Sequence, residues 1–244
     1  MFRVPKTHSL GICNKRSRAL RYSDAIARLE TLPSTLPAPP ATLMPVRLDT
    51  GERRRTAITA GPQDARPAAV LVLIAPDRNG PDGAAAPDAE AEVVLIERVD
   101  RGGHHSGEIS FPGGKSEPED ADLVATALRE SAEEVALDVE AAGVRVIGEL
   151  ETFWIPVSGY RVTPILAVAA RRPELKPSPD EVASIVRAPL SAFLPDAPIE
   201  LVEATIRDFP LRFGAYPVGG HRVWGATARI LGQLGALLKV TSPD

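Results

Sequence analysis

The chain has 244 residues, of which 44% are apolar and 25% charged, and this balance excludes a wholly disordered protein. Its formal net charge of −4 provides no general attraction for nucleic acid or anionic membranes, and its single cysteine, Cys13, excludes an intrachain disulfide framework. No uninterrupted apolar stretch is long enough for a transmembrane helix. We therefore expect neither a nucleic-acid nor a membrane partner.

The first 65 residues differ in composition from the remainder of the chain. Residues 1–23 carry six basic side chains and no acidic one, as in a mitochondrial transit peptide, although the apolar face of such a helix is weak. A disordered basic tail, or a start codon placed too far upstream, is the simpler interpretation. We expect a cytoplasmic protein, or a mitochondrial one if the basic segment is a transit peptide. Residues 1–65 are predicted to be a basic and then proline-rich extension with one short helix over 22–32, and residues 66–240 to be the main domain.

Apolar patterning predicts strands and helices throughout that domain. Residues 68–74 are an apolar run typical of a strand covered on both faces, and residues 92–98 are expected to be its hairpin partner across a loop at 75–91. Apolar residues at helical spacing predict helices over 121–135 and 226–239. Further strands are expected at 144–150, 161–169, 182–187, 201–206 and 210–216. The pattern indicates an α/β or α+β fold with a mixed sheet.

The segment 110–137 carries the most informative polar residues. Glu130, Glu133 and Glu134 have the i, i+3, i+4 spacing that places three side chains on one face of a helix. Three carboxylates repel one another there, and a divalent cation reverses that repulsion. Oxygen ligands suit Mg²⁺ or Mn²⁺. A glutamate pair by itself would more often be a solvated helix face, so the prediction of a metal site depends on the surrounding residues.

Those surroundings suit a diphosphate. Arg129 is expected to anchor the acidic cluster by a bidentate bond to one carboxylate. Gly113 and Gly114 permit a tight turn and close approach of a ligand before the helix, which Asp120 or Asp122 is expected to cap. A glycine loop, a helix and a carboxylate face together indicate a site for a metal-bound diphosphate.

The run from Arg129 to Leu137, Arg-Glu-Ser-Ala-Glu-Glu-Val-Ala-Leu, resembles the second half of the Nudix hydrolase signature. Ser131 stands at an apolar position of the signature, and Ala136 stands where glycine ends the helix. If Ala136 has a positive φ, alanine costs about 1 kcal/mol there. The spacing from Gly114 to Arg129 is one residue longer than in the signature, which puts Asp120 at the position of its early glutamate.

The lengthened box is similar to that of the coenzyme A diphosphatases, a branch of the Nudix hydrolases. The chain departs from that branch at Val99, Gly103 and Glu108, where the branch has serine, arginine and glutamine. The resemblance covers roughly residues 66–239 and includes five further segments: 105–115, 159–164, 179–183, 188–190 and 221–231.

The resemblance implies a Nudix α/β/α sandwich with a mixed β-sheet and a loop–helix–loop box. The implied activity is metal-dependent hydrolysis of the diphosphate bond of coenzyme A or its acyl derivatives, giving 3′,5′-ADP and (acyl-)4′-phosphopantetheine. Two alternatives stay open. One is a Nudix hydrolase of another nucleoside diphosphate derivative, such as ADP-ribose or NADH, or of a nucleoside triphosphate; the other is a catalytically silent Nudix-fold binding module. A homodimer is also expected from the likeness.

The same resemblance implies roles for individual side chains. Glu130 and Glu134 would bind the metal, and Glu133 would complete the acidic cluster. The general base would be Glu130 or Glu133, with Glu181 as a weaker candidate, and Arg129 would belong to the catalytic set. Substrate phosphates would be met by Arg98, Gly113, Gly114 and Lys115, although Arg98 and Lys115 could each be an ordinary solvated base.

Overall fold

A computed structural model describes residues 19–52, 61–100, 107–156, 158–206 and 208–240. Cys13, Gly103, His104, His105 and most of the basic N-terminal segment therefore lie outside the described residues. The described ranges contain four α-helices: α1 (Tyr22–Leu29), α2 (Leu123–Val135), α3 (Val139–Ala142) and α4 (Gly225–Val240). They also contain twelve strands: β1 (Val46–Arg47), β2 (Arg66–Pro76), β3 (Ala91–Arg98), β4 (Ile109–Ser110), β5 (Gly113–Lys115), β6 (Val144–Glu149), β7 (Phe153–Ile155), β8 (Tyr160–Ala169), β9 (Val182–Pro189), β10 (Glu200–Ile206), β11 (Phe209–Val218) and β12 (His221–Val223).

Strand β2 lies at the centre of a mixed sheet with the order β4-β3-β2-β8-β6. It runs parallel to β8 and antiparallel to β3, which it meets at its C-terminal end, so the predicted hairpin is confirmed. The N-terminal end of β2 pairs instead with β5, and β9 pairs with β3. A second sheet is formed by β1, β11 and β10, with β12 added to β11. The predicted mixed sheet and α/β fold are confirmed.

Both faces of the main sheet are covered, as the apolar run in β2 predicts. Leu71 and Leu73 belong to the buried cluster under α2, while Val72 and Ile74 belong to the cluster under α1 and α4. Alternation along a strand sends successive side chains to opposite faces, so a continuous apolar run fills both clusters. The result is a sandwich with helices on either side of the sheet. Among the described residues, no helix is both long and apolar enough to cross a membrane.

The described part of the N-terminal extension packs into this core. Helix α1 confirms the predicted short helix, although it ends at Leu29, before residue 32. Leu20, Leu29 and Leu43 are buried in the cluster that contains α4. Strand β1 pairs with β11. Parts of residues 20–47 therefore pack against the domain core, and the domain division at residue 66 stays a prediction.

Helix α2 ends at Ala136, whose φ of 53° and ψ of 40° lie in the left-handed region that favours glycine. We expect Ala136→Gly to raise the free energy of unfolding by about 0.5–1 kcal/mol, because it relieves a strained alanine. Denaturant unfolding measures this change. Ala132→Gly, at an exposed interior position of α2, is the control and should lower the stability by about 1 kcal/mol. Destabilisation by both changes would contradict this account of the cap.

Candidate functional site

The glycine segment, Gly113–Lys115, forms the short strand β5 and precedes the acidic helix α2. Strand β5 pairs with β2 through Gly113↔Val70 and Gly114↔Ala69, and the chain then turns into α2. The side chain of Asp122 caps this helix by accepting a 2.8 Å hydrogen bond from the Ala125 amide. Of the two predicted caps, Asp122 therefore serves, which leaves Asp120 for another role.

Glu134 is the most buried carboxylate of the predicted cluster, with 2% of its side chain exposed. Its two oxygens are held separately: the Gly113 amide donates to Oε2 at 2.9 Å, and Arg98 Nη1 donates to Oε1 at 3.1 Å. Burial raises the pKa of Glu134 to about 7, although both donors favour the ionised form. Repulsion from Glu130 and Glu181 also raises this pKa. The two donors therefore only partly offset the cost of burying the ionised carboxylate, and a further positive charge would stabilise it.

Glu130 lies one helical turn earlier and rests against Gly114. A Cβ atom at position 114 would stand 2.6 Å from Glu130 Oε2, so a side chain there would displace this carboxylate. Arg129 Nη1 donates to Glu130 Oε1 at 3.2 Å. Burial raises the pKa of Glu130, and Arg129 opposes that rise. We call Glu130, Glu134, Gly113 and Gly114 the carboxylate site.

Arg129 makes the predicted bidentate bond, but its partner is Asp120 and not one of the three glutamates. Its Nε and Nη2 donate to the two oxygens of Asp120 at 2.9 and 3.0 Å. Nη1 reaches Glu130 and Glu133, each at 3.2 Å, and Nη2 also donates to the carbonyl oxygen of Lys115. The Arg129 guanidinium holds the pKa of Asp120 well below its usual range. Asp120 thus fixes Arg129, and Arg129 joins the glycine segment to the acidic helix as a positioning residue.

Glu133 and Lys115 lie at the exposed rim of this arrangement. The side chain of Glu133 is 59% exposed and that of Lys115 is 63% exposed, with Lys115 Nζ 3.4 Å from Glu117. The structure therefore brings together Glu130, Glu134, Arg98, Gly113 and Gly114, and leaves Glu133 and Lys115 on its edge. Lys115 would therefore meet a phosphate group only from this outer position.

Glu181 approaches the carboxylate site from a different part of the chain. It precedes β9, and its carbonyl oxygen accepts a 3.0 Å hydrogen bond from the Val99 amide at the end of β3. Its charge raises the pKa of both Glu130 and Glu134, so Glu181 is near enough to interact with both carboxylates. Glu181 comes near these residues because β9 pairs with β3. The spacing of residues along helix α2 gives no information about this long-range pairing.

The donor chemistry fits a hard divalent cation. Within the described ranges, no three His, Cys, Asp or Glu side chains converge closely enough to enclose a metal ion. Mg²⁺, however, is typically bound by one or two carboxylates and completes its shell with water and substrate phosphate. Glu130 and Glu134 supply two carboxylates whose pKa values are raised by burial and by repulsion from neighbouring glutamates, which a bound cation would relieve. Two ligands of this kind are sufficient for such a site.

Several known proteins are similar to this chain. The model of the NUDIX domain matches residues 67–206. The chain is 36% identical over 136 residues to "Uncharacterized Nudix hydrolase NudL" of Photorhabdus laumondii, covering 71% of that protein and 56% of this chain. It is 33% identical over 145 residues to the protein of the same name from Yersinia pestis, covering 71% of that protein and 59% of this chain. A solved Nudix hydrolase from M. smegmatis, RenU, aligns with 82% of this chain and 97% of its own, at 18% identity and a TM-score of 0.46. The chain belongs to the Nudix hydrolase family.

Proposed function

We propose that this Nudix hydrolase cleaves the diphosphate bond of coenzyme A or its acyl derivatives, with Mg²⁺ or Mn²⁺ bound by Glu130 and Glu134. Nudix hydrolases act on small nucleotide substrates and use divalent metal ions of this kind. The observation that carries the proposal is the pairing of the buried Glu134 and the half-buried Glu130 against Gly113 and Gly114. The coenzyme A assignment is supported by the lengthened box and by the likeness to the coenzyme A diphosphatases in segments 105–115 and 221–231.

The residues around the carboxylate site divide the chemical work. The bound cation would neutralise the diphosphate and acidify the attacking water. Gly113 fixes Glu134 through its amide, and Arg129, held by Asp120, fixes Glu130. These bonds preorganise the two ligands before substrate arrives, which lowers the cost of reaching the reactive geometry.

Of the three glutamates that the sequence offers as proton acceptor, we favour Glu181, the weaker candidate from the sequence alone. Glu130 is taken up as a ligand, and Glu133 is bonded to Arg129 at the exposed rim. Glu181 is exposed and interacts with both glutamates of the carboxylate site. We assign Glu133 to the acidic cluster at the rim, and Arg98 and Lys115 to the phosphate oxygens. The homodimer and the cytoplasmic location remain predictions.

The substitutions at Val99, Gly103 and Glu108 favour one alternative, a Nudix hydrolase of a different nucleoside diphosphate derivative. The Glu108 charge stands where the coenzyme A branch carries a neutral glutamine, so recognition of the anionic substrate differs at this position. A silent binding module is disfavoured, because the two carboxylates and their supporting bonds are all present.

A substrate panel tests the proposal. Purified protein with Mg²⁺ is incubated with coenzyme A, acetyl-CoA, ADP-ribose, NADH and ATP, and the products are identified by mass. We expect the highest kcat/KM for coenzyme A or acetyl-CoA, with 3′,5′-ADP as the common product. Intact coenzyme A beside a cleaved ADP-ribose or NADH would establish the alternative substrate class. If all five compounds stayed intact, the binding-module interpretation would replace both.

A further inference from the structure

We infer that Arg98 pairs with Glu134 when no cation is bound there. When the cation binds Glu134, the Arg98 guanidinium would leave this carboxylate and pair with the diphosphate of the substrate. This inference rests on the proposed function and assigns Arg98 two successive partners within it. Metal and substrate binding would thereby be coupled through one side chain. The sequence suggested only the second of these partners.

Access to Glu134 is the first observation behind the inference. Only 2% of the Glu134 side chain is exposed, so a cation reaches this carboxylate only after a neighbouring group moves. Gly113, which holds Oε2, is fixed by backbone pairing of β5 with the central strand β2. Arg98, which holds Oε1, is a long side chain that is 35% exposed. Arg98 is therefore the group that is able to leave.

The backbone at Arg98 permits this movement without disturbing the sheet. The Arg98 amide donates to the carbonyl oxygen of Glu108 at 3.1 Å, and Arg98 lies opposite Val182 of β9. The register between β3 and β9 shifts between Glu97 and Arg98, at an irregularity of the kind that redirects a side chain at a strand end. The Arg98 backbone is therefore held between Glu108 and Val182, while its guanidinium is partly exposed to solvent.

Electrostatics determines where the guanidinium goes. Arg98 is the one cation bonded to Glu134 among the described residues. A divalent cation on the same carboxylate repels the guanidinium, and at separations of a few ångströms this repulsion is large for a partly desolvated pair. A diphosphate bound to that cation offers pairs of anionic oxygen acceptors that suit the fork of an arginine. Release of Arg98 by the cation therefore favours its binding to substrate.

A second buried ion pair on the same two strands provides a matched control. Arg187 of β9 is bonded to Glu92 of β3, whose side chain is 9% exposed. Glu92 is six residues from Arg98 along the strand, about 20 Å at the usual rise per residue. Arg187→Ala removes an arginine from a buried glutamate in the same sheet, as Arg98→Ala does, but far from the carboxylate site.

The test measures two bindings separately. Mn²⁺ binding to the full chain alone, at pH 8, is followed by the electron paramagnetic resonance signal of free Mn²⁺. Binding of the non-cleavable probe α,β-methylene-ADP is then measured by calorimetry at saturating Mn²⁺. We expect Arg98→Ala to bind Mn²⁺ roughly tenfold more tightly and the probe roughly tenfold more weakly than the wild type. Arg98→Lys should restore near-normal Mn²⁺ affinity with partial recovery of probe binding, and Arg187→Ala should leave both affinities unchanged.

The outcomes distinguish this inference from the proposed function. Unchanged or weaker Mn²⁺ binding by folded Arg98→Ala would overturn the exchange at Glu134. Unchanged binding of α,β-methylene-ADP would overturn the transfer to the diphosphate. A wild-type chain that binds no Mn²⁺ would overturn the proposed metal site, and this inference with it. Opposite shifts of the two affinities support the exchange, because general damage to the fold weakens both bindings.

Discussion

Glutamine in place of Glu134 should lower turnover by about 10³-fold and leave the metal-free protein at least as stable as the wild type. The activity falls because the amide replaces one of two proposed cation ligands. Stability is preserved because the wild type keeps a buried carboxylate whose pKa is raised to about 7. At pH 8 that carboxylate is ionised at an energetic cost in the folded state, and glutamine carries no charge.

The pH dependence of this effect has a definite sign. Between the ordinary glutamate pKa of 4.5 and the raised value near 7, the folded wild type binds more protons than the unfolded chain. The contribution of the Glu134 carboxyl group to the free energy of unfolding is therefore fully present below about pH 4.5 and is lost as the pH rises through about 7. Glu134→Gln should be stabilised relative to wild type by about 3 kcal/mol at pH 8 and by less than about 0.5 kcal/mol at pH 4.5.

These effects are measured by kcat/KM on coenzyme A with Mg²⁺, and by denaturant unfolding at both pH values with a chelator present. Glu133→Gln is the matched control, since Glu133 is exposed at the rim of the same helix. It should change stability by less than about 0.5 kcal/mol at either pH. Turnover of Glu134→Gln within tenfold of the wild type would refute the role assigned to Glu134.

Alanine at position 113 should destabilise the fold by about 3 kcal/mol or more and abolish turnover. Gly113 has a φ of 148°, which alanine rarely adopts, and an added Cβ atom would stand 2.5 Å from the Val70 Cα and also strike the Ala69 carbonyl oxygen. Both neighbours are backbone atoms of the central strand, so β5 would have to move away from β2. That movement also breaks the hydrogen bond from the Gly113 amide to Glu134.

Gly83→Ala separates the steric part of this effect from the conformational part. Gly83 has a φ of 79°, but a Cβ atom there meets nothing within 4 Å. It should cost only about 1 kcal/mol in denaturant unfolding. Equal destabilisation by the two changes would show that the approach of β5 to β2 is not tight, and the account of the glycine segment would then be wrong.

Periodicity in the sequence predicts α2 and the central hairpin because both depend on local patterns. Ala127 and Val135 are buried and Leu128 packs beside them, as the helical spacing indicates. Strand β5 could not be predicted in this way. The tripeptide Gly-Gly-Lys has no apolar alternation, and its extended conformation comes from pairing with β2. This pairing is close enough that a Cβ atom at position 113 would clash with the backbone of β2.

The same distinction applies to the carboxylate site. Helix spacing places Glu130 and Glu134 on one face, and in the structure they lie against Gly114 and Gly113. The bond between Arg98 and Glu134 joins residues 36 positions apart and depends on where β3 ends relative to α2. The role of Asp120 was equally open, because an aspartate before a helix suits capping, ligation and ion pairing alike, and only the position of Arg129 selects the last.

The most direct test of the central claim is a crystal structure of the full chain grown with Mn²⁺, in which anomalous scattering locates the ion. We predict an anomalous peak coordinated directly by the carboxylates of Glu130 and Glu134, with the Arg98 guanidinium no longer bonded to Glu134. A peak coordinated elsewhere, with neither glutamate as a ligand, would contradict the account.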